Sequence, residues 1–147
     1  IGVAKRGSSA HDRDVSEVSW LLVDIDPSRP VNTSSNKQEK EAALSVVGKV
    51  RAFLESKGWP DPLFADSGNG YHLMYRCKGL TPEIHKRILD FLSFRFSRDS
   101  LAIVDQAVYN PSRIWKVYGT YSRKGVAARA RYFKKSAGKV CPAAATA

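Results

Sequence analysis

Trp20-Leu21-Leu22-Val23-Asp24-Ile25-Asp26-Pro27 decides how the rest of the chain reads. Bulky apolar residues run straight into two acids and a proline. Such a run reads as a buried strand, here over about residues 19–25, whose last residues leave the core and enter a site. Side chains alternate along a strand, so Asp24 and Asp26 share a face with Trp20 and Leu22, while Leu21, Val23 and Ile25 take the other. Two neighbouring carboxylates repel unless a positive charge sits between them. A divalent metal supplies that charge, and hard oxygen ligands favour Mg2+ or Mn2+. The plain alternative is a strand ending in a polar turn, stopped by Pro27, with both acids solvated.

The downstream sequence supplies partners for that strand. Pro27 to Thr33 is a loop, and Ser34-Ser35-Asn36 offers helix caps, with Ser35 and Gln38 fitting a capping box. A helix then runs to about Lys57, with Ala43, Val46, Val47, Val50, Phe53 and Leu54 recurring at three and four to form one buried stripe. Gly58 stops it. Pro62 to Ala65 is a short second strand, and Asp66-Ser67-Gly68-Asn69-Gly70 is strong turn chemistry. Tyr71 to Arg76 alternates into a third strand, so the pair makes a hairpin. Thr81-Pro82-Glu83 opens a second helix, with Ile84, Ile88, Leu89, Leu92 and Phe96 as its apolar face. Leu101-Ala102-Ile103-Val104-Asp105 repeats the opening pattern of an apolar run delivering an acid. Asn110-Pro111-Ser112 turns the chain, and Arg113 to Val117 reads as one more strand. His11 and His85 are assigned to the surface.

Strand, helix, strand, strand, helix, strand is the βαββαβ unit, an α+β ferredoxin-like fold with an antiparallel sheet and both helices on one face. Its first and third strands are central neighbours and its fourth lies beside the first, so Asp24, Asp26 and His72 are expected on adjacent strands. At 147 residues the chain reads as one domain. Residues 1–18 form a polar lead-in, in which Lys5-Arg6-Gly7-Ser8-Ser9 is taken as flexible; 19–125 form the core; 126–147 form a basic tail or linker.

Apolar residues make up 43% and charged ones 26%, the balance of a soluble globular protein. No apolar run approaches a membrane span and no signal peptide opens the sequence, which argues against a membrane partner. Cys77 and Cys141 lie far apart, and none of the three histidines is spaced with a cysteine as zinc ligands are. A reducing cytoplasm is the simplest home for such a chain. Lys and Arg number 24 against 14 acids, for a net charge of +10 and a pI near 9.8. That excess favours a polyanionic partner, nucleic acid or nucleotide. It is also lopsided, because every charged residue from Arg113 to Lys139 is basic.

Acids delivered by apolar runs, a glycine turn with a histidine, and a basic segment suit nucleotidyl transfer. Asp24, Asp26 and Asp105 would hold the metal. Ser67, the amides of the turn at Gly68 and Gly70, and His72 could cradle a triphosphate. Arg113, Lys116, Arg123 and Lys124 could hold phosphates of nucleotide or template. Trp115 or Tyr118 could stack on a base, although Trp115 fits the core equally well. Asn69 reads as a turn residue.

In these segments the chain resembles the catalytic core of archaeo-eukaryotic primases, in the primase-polymerase branch of phages, plasmids and mobile elements. Three motifs carry the resemblance. They are the hydrophobic strand ending in Asp24-Ile25-Asp26, the run Ser67-Gly68-Asn69-Gly70-Tyr71-His72, and Val104-Asp105. The stretch from Tyr109 to Thr120 also resembles the segment after the third motif in that branch, and the likeness spans about residues 17–125. It implies an RRM-like catalytic core that copies single-stranded DNA with Mg2+ or Mn2+ from nucleoside triphosphates. Asp24, Asp26 and Asp105 match the metal-binding acids, and Ser67 and His72 match the triphosphate contacts. Arg113 and Lys116 sit where the family places basic contacts. A helicase, fused or associated, is the partner such a core suggests. Family members carry a subdomain before the first motif where only about 18 residues stand here, so a fragment or a minimal core is expected. The zinc elements of some primases have no counterpart.

Three other readings use the same residues. A non-catalytic RRM-like nucleic-acid-binding module would put an aromatic platform where this chain has acids. A metal-dependent nuclease shares the carboxylates but has no use for a triphosphate turn. The polymerase domain of bacterial end-joining ligases shares the first two motifs, while the third segment favours the mobile-element branch.

Overall fold

The computed structural model describes residues 11–15 and 17–122, together with the backbone of 128–129, 131–134 and 140–141. Ten elements come after a short 3-10 turn at Asp12–Asp14. They are β1 (Val18–Pro27), α1 (Lys37–Ser56), β2 (Leu63–Asp66), β3 (Tyr71–Leu80), α2 (Pro82–Phe96), β4 (Ala102–Val104), β5 (Tyr121–Ser122), β6 (Ala128–Arg129), β7 (Arg131–Lys134) and β8 (Val140–Cys141). The main sheet runs β4-β1-β3-β2-β7, with β8 joined to β3, and β5 pairs with β6 separately. The pairings among β1 to β4 are all antiparallel. Within that six-stranded sheet, β1 to β4 form a four-stranded antiparallel unit that with the two helices makes an α+β arrangement compatible with a ferredoxin-like fold. The segment from 126 on, expected as tail or linker, contributes β7 beside β2 and β8 beside β3.

The alternation expected of β1 holds. Leu21, Val23 and Ile25 are wholly buried and join the helix residues Ala43, Val46, Val47, Val50, Leu54, Leu89 and Leu92 in one core. Phe53, Ile84, Ile88 and Phe96 pack at its margin. The first helix begins one residue later than its cap pattern suggested. Asn36 accepts from the Glu39 amide at 2.9 Å and Glu39 returns a bond to the Asn36 amide at 2.8 Å. The reciprocal box is therefore Asn36 with Glu39 rather than Ser35 with Gln38, because Ser35 is spent elsewhere. The stretch Arg113–Val117, expected as a strand, has no regular secondary structure.

The expectation of a surface His85 is overturned. It is 3% exposed, and its Nε2 donates to the Leu22 carbonyl at 2.9 Å. β4 pairs with β1 only from Ile25 to Pro27, so the Leu22 carbonyl lies on sheet edge that β4 does not reach. The imidazole fills that vacancy in the ladder, as a buried backbone acceptor requires.

The cysteine expectation also changes. Cys77 is disulfide-bonded, and Cys141 is its register partner on β8. Distance along the sequence had suggested two reduced thiols, but strand pairing brings their backbones side by side. Among the described residues, no helix is long and apolar enough to cross a membrane.

Burial pushes the His85 pKa below its ordinary 6.5, partly opposed by the bond to Leu22. Below about pH 6.5 the unfolded chain therefore binds a proton that the folded chain refuses. This contribution to stability is complete above that pH and declines as pH falls toward the folded-state value. Urea unfolding between about pH 7.5 and 5.5 should show stability falling by up to about 1.4 kcal/mol per pH unit. His85→Gln should remove that part of the slope.

Candidate active site

The acids are placed by strand register. Asp24 pairs with His72 across β1 and β3, and His72 pairs on its other side with Ala65 of β2. Alternation turns Asp24, Asp26 and His72 to the sheet face away from the helices. On β4, Val104 pairs with Ile25 and is buried, so Asp105 comes next on the open side. The Asp105 amide donates to the Asp24 carbonyl at 2.8 Å. The three acids, Ser67, His72 and Arg29 line one cleft of 340 Å³. Its remaining wall includes Arg113, Trp115 and Lys116 from the segment after β4. A larger cavity of 460 Å³ lies alongside, lined by apolar groups such as Trp20, Leu63 and Met74, and it shares Trp115 and Lys116 with the acid cleft.

His72 is buried between two polar groups. Its Nδ1 is hydrogen-bonded to the Tyr118 hydroxyl, and its Nε2 lies 3.4 Å from Asp24 Oδ1. Tyr118, a candidate for stacking on a base, also places its hydroxyl against His72 and 3.6 Å from Met74 Sδ. Asp24 Oδ1 is itself buried and, among the described residues, accepts no hydrogen bond. A buried carboxylate oxygen without a hydrogen bond is costly, so its surroundings suit a cation.

The turn from Asp66 to Gly70 is closed on itself. The Gly68 amide donates to Asp66 Oδ1 at 2.7 Å, and the Gly70 amide to Ser67 Oγ at 3.0 Å. The glycine amides expected to face a phosphate are thus engaged inside the turn, which offers side chains to the cleft instead. Gly70 is required by crowding, because a Cβ there would run into Asp26 Oδ1 and the Ile25 carbonyl. The turn is also held from outside. Lys40 of α1 meets the buried Asp66 Oδ2 at 2.6 Å and lies over the Tyr71 ring.

Asn69, read from sequence as a simple turn residue, is 4% exposed and ties three segments together. Its Oδ1 accepts from the Ser35 amide at 3.1 Å, its carbonyl accepts from Ser35 Oγ, and its Nδ2 donates to Ser122 Oγ at 3.0 Å. This is where Ser35 is spent, and why it does not cap α1.

Arg29 was missed altogether. Its Nε donates to Ser35 Oγ at 3.0 Å, its Nη1 to the Thr33 carbonyl at 3.2 Å, and its Nη2 lies 3.9 Å from Asp26 Oδ1. The only hint was a cation three residues past the second acid, in a loop without periodicity.

The other basic candidates differ in setting. Arg113 is exposed and bonded to the Ala107 carbonyl, while Lys116 Nζ donates to the Tyr121 carbonyl at 2.8 Å. Arg123 and Lys124, and the Lys5–Ser9 loop, lie outside the described residues.

Among the described residues, no three His, Cys, Asp or Glu side chains form a group that could hold a metal ion. Asp105 Oδ1 accepts from the Ala107 amide at 2.8 Å. Mg2+ is commonly held by one or two carboxylates with substrate phosphates and water completing the shell. Asp24, with its orphaned oxygen, and Asp26 beside it fit that mode. Comparison with protein-family models, curated proteins and solved structures found no match.

Gly70→Ala should lower stability by about 1–3 kcal/mol, because the added methyl overpacks against the β1 backbone and a site carboxylate. Chemical denaturation measures this directly. Gly48→Ala, where a Cβ meets nothing within 4 Å, is the control.

Proposed function

We propose that this protein is the catalytic core of a primase-polymerase, which joins nucleotides from nucleoside triphosphates on a single-stranded DNA template. One observation carries the reading. Asp24 presents a buried carboxylate oxygen that accepts no hydrogen bond among the described residues, 3.4 Å from His72, in a cleft that also holds Asp26 and Asp105. A metal-assisted transfer of phosphorus uses such an oxygen, whereas a non-catalytic binding module has no need of it. The order of β1, α1, β2, β3, α2 and β4 supports the finer reading of a βαββαβ, RRM-like core.

In the reaction, a hydroxyl oxygen of the growing chain forms a bond to the α-phosphorus. The bond from that phosphorus to its bridging oxygen breaks, and pyrophosphate leaves. Asp24 and Asp26, with Asp105 nearby, would hold Mg2+ or Mn2+, which when bound neutralises phosphate charge and acidifies the attacking hydroxyl. His72 and Ser67 would donate to the triphosphate, with Tyr118 fixing the orientation of the imidazole. Arg113 and Lys116 would meet phosphates at the cleft mouth. Exposed Ile114, Val117 and Tyr121 beside those cations offer apolar surface against which template bases could lie.

The test is synthesis of labelled oligonucleotides from nucleoside triphosphates on single-stranded DNA with Mn2+ or Mg2+, without and then with a primer. The parent should make or extend chains. Asp24→Asn and Asp26→Asn should each lower incorporation by about a hundredfold or more, with unchanged thermal unfolding. Shortened DNA without added triphosphates would mean a nuclease. DNA binding with neither activity would mean a non-catalytic module.

A further inference from the structure

Arg29 is a cleft cation whose side chain is largely enclosed and held by two hydrogen bonds. Its side chain is 9% exposed. Two of its three nitrogens are anchored to neutral acceptors, Nε on Ser35 Oγ and Nη1 on the Thr33 carbonyl. The third, Nη2, lines the acid cleft 3.9 Å from Asp26 Oδ1. A settled guanidinium–carboxylate pair closes to about 2.8 Å, often through two parallel bonds. Arg29 and Asp26 therefore attract one another without a hydrogen bond between Nη2 and that oxygen. A buried guanidinium held in this way presents donors in a set direction, the geometry suited to a phosphoryl group.

We propose that Arg29 is a phosphate-binding residue that takes a non-bridging oxygen of the nucleotide's polyphosphate. The proposal rests on the reading of the cleft as a triphosphate site. Its anchoring distinguishes it from Arg113 and Lys116, cations of the same cleft. Arg113 is exposed, and both Arg113 and Lys116 already donate to backbone carbonyls. Arg29 shares the cleft with Ser67, His72 and the acids, and its Nη2 is not committed to a backbone carbonyl. Ser35 strengthens the assignment. The hydroxyl that accepts from Arg29 donates to the Asn69 carbonyl, so Arg29 and the Ser67–His72 turn are tied into one unit. A phosphate bridging Ser67 and Arg29 would meet two donors whose spacing is already set, with little ordering left to perform.

Binding of inorganic tripolyphosphate in Mg2+, followed by calorimetry, tests this without catalysis. Arg29→Gln should weaken it about tenfold or more, the loss of a charged hydrogen bond. Ser35→Ala, which frees the guanidinium anchor, should weaken it about threefold. Lys37→Gln, at an exposed helix position, controls for net charge and should leave binding unchanged. In nucleotide incorporation, Arg29→Gln should raise KM for the triphosphate about tenfold while leaving the Mn2+ concentration for half-maximal rate in place. A residue that only braces Asp26 would do the reverse, shifting the metal requirement and kcat. Binding by Arg29→Gln within about twofold of the parent overturns the proposal. If that variant does not fold, Arg29→Lys carries the test: it keeps one charge but loses the fork, and should bind about fivefold more weakly. A parent that makes primers yet does not bind tripolyphosphate overturns the subsite alone. A parent that does neither overturns the reading beneath it.

Discussion

Asp24 and His72 occupy one rung of the ladder between β1 and β3, and the rest of the site depends on that rung. The period of a strand is two, so a one-residue slip would send Asp24, Asp26 and His72 into the helix-packed core and bring Leu21, Val23 and Ile25 into water. The wholly buried Leu21, Val23, Ile25 and Leu73 hold the register by their own hydrophobicity. The core thus sets the chemistry of the opposite face without touching it. β4 repeats the device, for buried Val104 beside Ile25 sends Asp105 outward.

Acids gathered on one face of a basic protein need local counter-charges, and the cleft supplies them at two levels. Lys40 offsets Asp66 behind the turn, and Arg29 stands near Asp26 within the cleft. The Lys40–Asp66 pair is largely shielded from solvent, whereas Asp26 is 35% exposed toward the cleft. Asn69 and Ser35 then lock the turn to the start of α1. The result is a carboxylate site whose framing groups are set by hydrogen bonds among side chains from distant segments. Among the described residues, one oxygen of that site, Asp24 Oδ1, accepts no hydrogen bond and has only the His72 imidazole at 3.4 Å. Preorganisation of this kind would suit the proposed phosphoryl chemistry, in which positioning and charge stabilisation supply most of the catalysis.

Much of this was legible along the chain. The apolar stripe of α1, the Thr81-Pro82 start of α2 and the glycine-rich turn between β2 and β3 are local patterns, and each formed as its spacing required. The parity of β1 placed both acids on one face before any contact was known. Misreadings arose where a local motif met a distant competitor. Ser35 fitted a capping box but was drawn to Asn69, 34 positions along the chain. His85 looked like a helix-surface residue but was needed by a β1 carbonyl that β4 does not reach.

The sequence by itself determined β1, α1, β2, β3, α2 and β4, their order and the face on which Asp24 and Asp26 stand, because periodicity and turn chemistry act over a few residues. Only the tertiary structure decided which polar groups share partners: Arg29 with Ser35 and Thr33, Asn69 with Ser35 and Ser122, His72 with Asp24 and Tyr118. Each of those contacts joins polar atoms brought to about 3 Å by packing, and no periodicity marks such a meeting in advance.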